Sequence, residues 1–309
     1  MSGDIEPAAQ RTLKGAIGCR GVGIHTGRKV AMTLKPAPPG TGILFRRTDA
    51  GADIKASWEN AQESPLCTVL GDGRGVEIRT VEHVLAALAG AEIDNAIVEL
   101  DGPEVPIMDG SAAPFLFLIE RAGILEQTER RRAIRVLKPV GVAMGGALAT
   151  LIPACGFSMS FEIDFDNPLI RRQEITLAWD EGVFERELAR ARTFSLVDDI
   201  ERLRAAGLVR GGSLDNAVVV SGDRVLNTGG LRYADEFVRH KLLDAYGDLY
   251  LAGGPVIGHF RGVRSGHALT RRLLACLFAD ENAWSFAPIA RVSGAGPAEW
   301  EERAHLARA

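Results

Sequence analysis

Glu126-Gln-Thr-Glu-Arg-Arg-Arg132 divides this chain in two. Five of these seven residues are charged and none is apolar, whereas Phe115–Ala122 before the run and the segment from Ala133 onward are rich in apolar side chains. Such a run reads as a solvated boundary between two cores, giving a first domain over residues 1–128 and a second over 129–309. A faint internal echo supports the split. Leu13-Lys14 followed by Thr33-Leu34-Lys35-Pro36-Ala37 resembles Leu137-Lys138 followed by Thr150-Leu151-Ile152-Pro153-Ala154. Two halves of similar build imply a cleft between them, and ligands bind preferentially in such clefts.

The chain has 309 residues, 46% of them hydrophobic and 25% charged, with a formal net charge of −4. That composition fits a globular protein with room for two cores and excludes disordered or collagen-like chains. The longest apolar stretches, such as Val84–Ala89, fall far short of the roughly 20 residues a bilayer span needs, so no membrane insertion is expected. The opening Met1-Ser-Gly-Asp-Ile-Glu6 lacks the basic flank and apolar core of a secretory signal, so a cytoplasmic location is expected. Cys19, Cys67, Cys155 and Cys276 form no CxxC pair, which argues against a disulfide framework and against a thiolate zinc cluster. The acidic balance lacks the basic field that nucleic acids require, so the expected partner is a small molecule. A monomer is expected.

Glycines between β-rich segments predict many short strands, beginning with strand, turn and strand over residues 12–34. Thr80–Gly90 reads as a helix: Thr80 suits an N-cap, Val81, Val84, Leu85 and Leu88 form an apolar stripe, and Gly90 suits the stop. A strand over Asn95–Leu100 and a helix from near Ser111 through Phe115–Ala122 follow. The second half predicts a strand over Phe157–Phe165, helices near Val183–Arg190 and Leu196–Ala206, a strand over Ala217–Val220, and the longest helix over Asp235–Ala252.

That longest helix carries the chemistry. At 100° per residue, His240, Lys241, Asp244 and Asp248 share an arc of about 100°, while Val238, Leu242, Tyr246, Leu249 and Tyr250 occupy the opposite side. His-x-x-x-Asp spacing lets an imidazole nitrogen and a carboxylate oxygen converge on one divalent ion, although a solvated helix face bearing a His–Asp pair reads equally well. On the Thr80–Gly90 helix, Glu82 and His83 lie off the apolar stripe and near the small residues Ala86, Ala87 and Gly90, which let another surface approach. His83 can therefore complete a His/His/Asp set with His240 and Asp244, leaving Glu82 to act on a bound water. Glu82 also fits as a first-turn acid favoured by the helix dipole. Gly18-Cys-Arg-Gly-Val-Gly23 lacks GxGxxG spacing and precedes a strand, no P-loop motif occurs, and His-Glu-x-x-His is absent.

Taken together, Gly21-Val-Gly-Ile-His-Thr-Gly27, Thr80-Val-Glu-His83, Pro106-Ile-Met-Asp-Gly-Ser-Ala-Ala-Pro114, Ala191-Arg-Thr-Phe194, Gly211-Gly-Ser213, Asp235-Glu-Phe-Val-Arg-His-Lys-Leu-Leu-Asp244 and Ser265-Gly-His-Ala-Leu269 resemble the zinc-dependent UDP-3-O-acyl-N-acetylglucosamine deacetylases of lipid A biosynthesis. The resemblance spans residues 11–295. It implies an α+β fold of two similar two-layer α/β sandwich domains with the active site between them. It also implies one zinc ion per chain, or iron(II) in the same ligand set, held by His83, His240 and Asp244. Glu82 is then the general base, Thr193 an oxyanion donor, His267 the general acid supported by Asp248, and Lys241 a partner for developing negative charge. The UDP-linked, acylated amino sugar is expected to meet Asp164 and Phe165 at the uracil and Arg264 at phosphate. Its fatty-acyl chain is expected in an apolar passage formed by Ile24, Phe194, Ile200, Gly211 and Ser213, with Cys67 near the metal. Leu196 stands where a second aromatic is expected near the uracil. A catalytically idle nucleotide-sugar-binding homologue and a metal-free carboxylate-pair glycosidase are the competing readings. The tail Pro297–Ala309 fits either a solvated end helix or a recognition element.

Overall fold

Strict alternation builds the first sheet. In Lys29–Pro36, Val30, Met32 and Leu34 face inward and are buried while their neighbours face out. The structure is a computed structural model that describes residues 5–64 and 66–292, so the tail Pro297–Ala309 lies outside the described residues. The first sheet orders its strands Ile17–Val22, Lys29–Pro36, Ala96–Leu100, Ile43–Arg47, Ala52–Lys55. Ala96–Leu100 runs antiparallel to Lys29–Pro36 and parallel to Ile43–Arg47.

The second sheet repeats that arrangement. Val256–Val263 runs antiparallel to Ala147–Ile152, which pairs with Val140–Met144, and parallel to Phe157–Asp164, which pairs with Arg172–Ala178. Arg132–Val136 and Trp284–Pro288 extend the sheet at the start of Val256–Val263. Thr33-Leu34 and Thr150-Leu151, the core of the sequence echo, therefore sit in matching strands. The helices are α1 (Glu82–Gly90), α2 (Ala113–Ala122), α3 (Val197–Ala205), α4 (Glu236–Leu249) and α5 (His267–Ala279). In each half, one helix enters the central strand and another follows it: α1 and α2 in the first, α4 and α5 in the second. The result is an α+β fold of two similar sandwiches. Phe45, Leu85 and Phe115 are buried in the first, Phe161, Leu242 and Phe260 in the second, each such side chain contributing about 1.5–3 kcal/mol.

The equivalent helices α1 and α4 pack against each other at backbone distance. A Cβ placed on Gly247 of α4 would lie 2.1 Å from the Glu82 carbonyl oxygen of α1, and Ala86 and Ala87 beside it are fully buried. Small residues at the crossing let the axes approach closely. This crossing joins the two halves and carries the site described below.

Several sequence expectations are corrected. Glu126–Arg132 is no solvated linker, because Ile124–Arg130 is a strand paired antiparallel with Ala9–Leu13 and Arg132–Val136 belongs to the second sheet. Most of these charges are exposed along a strand that is open on both faces, and Arg131 is buried where it pairs with Asp94 at 2.7 Å and Glu92 at 3.2 Å. Thr80 is no N-cap. It takes φ 59° and donates its hydroxyl to Glu104 Oε1 at 3.0 Å, so α1 starts a residue later than its cap reading requires, with Val81 at the cap. Val183–Arg190 yields only a π-helical turn, Phe184–Leu188. The longest helix stops at Leu249, passing through a 3-10 turn to Gly253 in the left-handed region. Among the described residues no helix is long and apolar enough to cross a membrane.

Candidate active site

His83 lies in the first turn of α1, and His240 and Asp244 lie one turn apart on α4, so the crossing of the two helices brings all three together. They are 3%, 2% and 5% exposed, which removes the solvated-face reading. Their ligand atoms lie within 4.8 Å of one another. Nε2 of His83 and Nε2 of His240 are 3.4 and 3.3 Å from Asp244 Oδ1. His240 Nδ1 donates to the Ala191 carbonyl at 3.0 Å, which leaves its Nε2 lone pair free. Burial lowers the His240 pKa to about 4, against the pull of Asp244, so this imidazole is neutral. Burial alone would raise Asp244, but His240 and Lys241 hold it well below the ordinary carboxylate range.

Asp244 Oδ1 and His83 Nδ1 have no hydrogen-bond partner. A buried acceptor left unsatisfied costs about 1–3 kcal/mol, and this oxygen faces two imidazole nitrogens. Two imidazoles and a carboxylate converging in this way match the three-ligand, open-position set of a catalytic divalent cation. The residues present fit such an ion.

Two titratable groups flank this set. Glu82 is 3% exposed, and its Oε2 accepts the Thr68 backbone N–H at 3.0 Å. Burial pushes its pKa up to about 7, with His267 and His83 opposing. His267 opens α5, and its Nδ1 lies 2.8 Å from Asp248 Oδ2. Burial would lower His267, but the Asp248 and Glu82 carboxylates carry it up to about 9. Near neutral pH, Glu82 can thus take a proton and His267 holds one to give; His267 Nε2 lies 3.9 Å from Glu82 Oε1. Lys241, only partly exposed, donates to Asp244 Oδ2 at 3.0 Å, and that carboxylate raises its pKa against the effect of burial.

A cavity of about 760 Å³ opens beside these groups. Of the residues expected from sequence, Glu82, His83, Thr193, His240, Lys241, Asp244 and His267 line it, as do Ile24, Phe165, Phe194, Leu196, Ile200 and Ser213. Phe165 stacks edge-on against Phe194 at 5.5 Å. Asp248 stands behind His267, buried. Gly211 does not line the cavity, although Gly212 does. A Cβ on Gly211 would lie 2.3 Å from the Gly23 carbonyl, so this glycine lets the Gly211–Ser213 loop close onto the Gly21–Gly27 loop. Asp164 and Arg264 are exposed and away from the lining, with Arg264 Nη2 donating to the Gly146 carbonyl at 2.7 Å. Cys67 is buried off the lining, and burial together with the Glu82 charge pushes its thiol up to about 12, so it stays protonated.

Sequence reasoning missed the carboxylates that hold these loops. Glu104, 1% exposed, accepts from His25 N and Thr26 N at 2.8 Å, Thr26 Oγ1 at 2.7 Å and Thr80 Oγ1 at 3.0 Å. It ties the Gly21–Gly27 loop to the turn that presents Glu82 and His83. Glu236, fully buried at the start of α4, accepts Arg192 N at 3.0 Å and pairs with Arg192 Nε at 2.9 Å, docking the segment that carries Thr193. His25 lines the cavity as well. The Gly21–Gly27 and Asp235–Asp244 motifs contained His25 and Glu236, but residue spacing said nothing of their partners.

The chain is similar to known proteins along most of its length. The family model described as UDP-3-O-acyl N-acetylglycosamine deacetylase matches residues 10–279. A UDP-3-O-acyl-N-acetylglucosamine deacetylase of Marinobacter nauticus is 53% identical over 279 residues, 89% of this chain and 91% of its own length. Proteins of the same description from Acidithiobacillus ferrooxidans and Vibrio parahaemolyticus are 52% and 51% identical, each across 90% of this chain and 92% of their own.

Proposed function

The chain belongs to the UDP-3-O-acyl N-acetylglycosamine deacetylase family, and from that premise we propose how it works. It is a hydrolase that cleaves the N-acetyl amide of UDP-3-O-acyl-N-acetylglucosamine, releasing acetate and the UDP-3-O-acyl-glucosamine used in lipid A biosynthesis. The observation that carries the mechanism is the buried His83, His240 and Asp244 set, flanked by one carboxyl poised near neutrality and one imidazolium. The proposed cation is zinc, one per chain, with iron(II) compatible with the same ligands. When bound, such an ion lowers the pKa of a coordinated water and polarises the amide carbonyl.

The protein's own groups do the rest. Glu82 takes the proton of the attacking water. Thr193 lines the cavity, and its hydroxyl is the proposed donor to the charge that develops on the amide oxygen; removing one such donor typically costs about 3–4 kcal/mol. His267 gives its proton to the departing amine, and Asp248 holds it charged and oriented. Lys241 keeps Asp244 ionised and brings positive charge to the same wall.

The apolar wall with Ile24, Phe194 and Ile200, near Ser213, supports accommodation of a fatty-acyl chain, and Phe165 offers an aromatic face for the uracil. Arg264 and Asp164 are proposed to meet the diphosphate and uracil from the rim, Gly211 to shape the passage, and Cys67 to pack behind the site. The division at residues 128 and 129, the monomeric state and a cytoplasmic location belong to the same proposal. Acetate release from the nucleotide-linked acyl sugar by the purified protein tests it. Chelation should abolish turnover and zinc should restore it, whereas activity indifferent to chelation would refute the metal-dependent reading.

A further inference from the structure

Thr68, a residue that no local pattern singles out, touches the base and the acid at once. It is 5% exposed and immediately precedes the short strand Val69–Gly71, which pairs with Glu77–Arg79, the strand leading into α1. Its backbone N–H donates to Glu82 Oε2 at 3.0 Å. Its hydroxyl donates to Asp248 Oδ1 in a short contact and lies 3.0 Å from His267 Nδ1, which is also 2.8 Å from Asp248 Oδ2.

We propose that Thr68 is a positioning residue that locks the base Glu82 and the Asp248–His267 pair into one frame. The inference rests on the deacetylase reading above. With its own proton committed to Asp248 Oδ1, the Thr68 oxygen turns a lone pair to His267 Nδ1. The Nδ1 proton is then shared between Thr68 Oγ1 and Asp248 Oδ2, which fixes the ring plane and leaves Nε2 as the nitrogen that faces the cavity. Nε2 stands 3.9 Å from Glu82 Oε1, so the acid and the base border the same end of the cavity. Meanwhile the Thr68 backbone holds the other Glu82 oxygen, so Oε1 is the one left to take a proton. A single residue thus sets which atom of the base and which atom of the acid face the substrate. It does so from the residue just before the strand Val69–Gly71, outside the three helices α1, α4 and α5 that carry Glu82, Asp248 and His267. A threonine that merely satisfied a buried carboxylate would contribute to stability alone.

The test uses the full-length, zinc-loaded enzyme. Thr68→Val keeps the shape and removes the hydroxyl, and should lower kcat by about 10- to 100-fold, the usual cost of losing an orienting partner, with KM and metal content unchanged. Thr68→Ser should recover most of that loss. In a His267→Ala background, Thr68→Val should add nothing, because the group it orients is gone. Wild-type kcat in T68V would overturn the proposal, and so would an additive effect on top of His267→Ala or a serine variant as slow as the valine one. Should T68V fail to fold, the ratio of Thr68→Ser to Thr68→Ala turnover decides in the same way. An inactive wild-type protein would refute the deacetylase reading itself, whereas an active wild type matched by T68V would refute only the role of Thr68.

Discussion

Gly247→Ala should damage the fold and the chemistry together. The added methyl would sit 2.1 Å from the Glu82 carbonyl oxygen and 3.0 Å from the Ala86 amide nitrogen. Both are main-chain atoms of α1, so no rotamer change relieves the clash, and the helices must part by roughly 1 Å to reach ordinary contact. Overpacking of this kind costs about 1–3 kcal/mol. The displacement falls directly on Glu82 and His83, while His240 and Asp244 ride on the other helix. Metal–ligand distances tolerate only about 0.2 Å, and a misplacement of about 1 Å at a reacting centre costs on the order of 100-fold in rate. G247A should therefore show a lower denaturation midpoint, weaker zinc affinity in a competitive chelator titration, and kcat/KM reduced by about two orders of magnitude. A variant with lowered stability but full metal affinity and turnover would show that the helix crossing does not set the site geometry.

Glu82→Gln should cut kcat by about 10²- to 10⁴-fold while metal content and substrate affinity persist, measured by acetate release and elemental analysis; an idle binding protein would be unaffected. The pH–rate profile should be bell-shaped. Activity should rise as Glu82, raised to about 7 by burial, loses its proton, and fall as His267, raised to about 9 by Asp248 and Glu82 against burial, loses its own. A bound cation favours both the carboxylate and the neutral imidazole, so zinc should shift both limbs downward. A rate still rising above pH 9 would exclude His267 as the acid. Breaking the buried Arg192–Glu236 pair by Glu236→Gln should cost about 3–5 kcal/mol in urea denaturation. Adding zinc to a chelated sample at about 100 times its dissociation constant should stabilise the fold by about 2.7 kcal/mol in the same assay.

The parts of the site legible in the sequence are those encoded by helical periodicity. His240, Asp244 and Asp248 recur one turn apart, so a single wheel places them on one face, and small residues around His83 mark a helix surface open to close approach. What the wheel leaves open is whether that face meets water or another helix. Gly247 decides this, because an absent side chain lets two backbones touch, and a glycine inside a helical pattern gives no hint of its neighbour. The groups that remained hidden act across sequence gaps that periodicity cannot bridge. Thr68 meets Asp248 at a separation of 180 residues, and Glu104 meets His25 at 79. Thr80 departs from its cap expectation for a related reason: a cap is inferred from local sequence, whereas its hydroxyl is claimed by Glu104, 24 residues on. The charged run reads as a linker because charge density reports exposure of side chains and not pairing of the backbone: Ile124–Arg130 is exposed along almost its whole length, yet Glu126 pairs with Arg11 and Arg130 with Ala9 across a register shift. The repeated strand order explains why the site nevertheless lies where two halves meet. Equivalent helices α1 and α4 enter equivalent central strands, so packing half on half stacks helix on helix, and each helix presents polar groups at one shared crossing. Ligands drawn from both halves then converge only when the whole chain is folded, which makes cation affinity a direct readout of how the halves are joined.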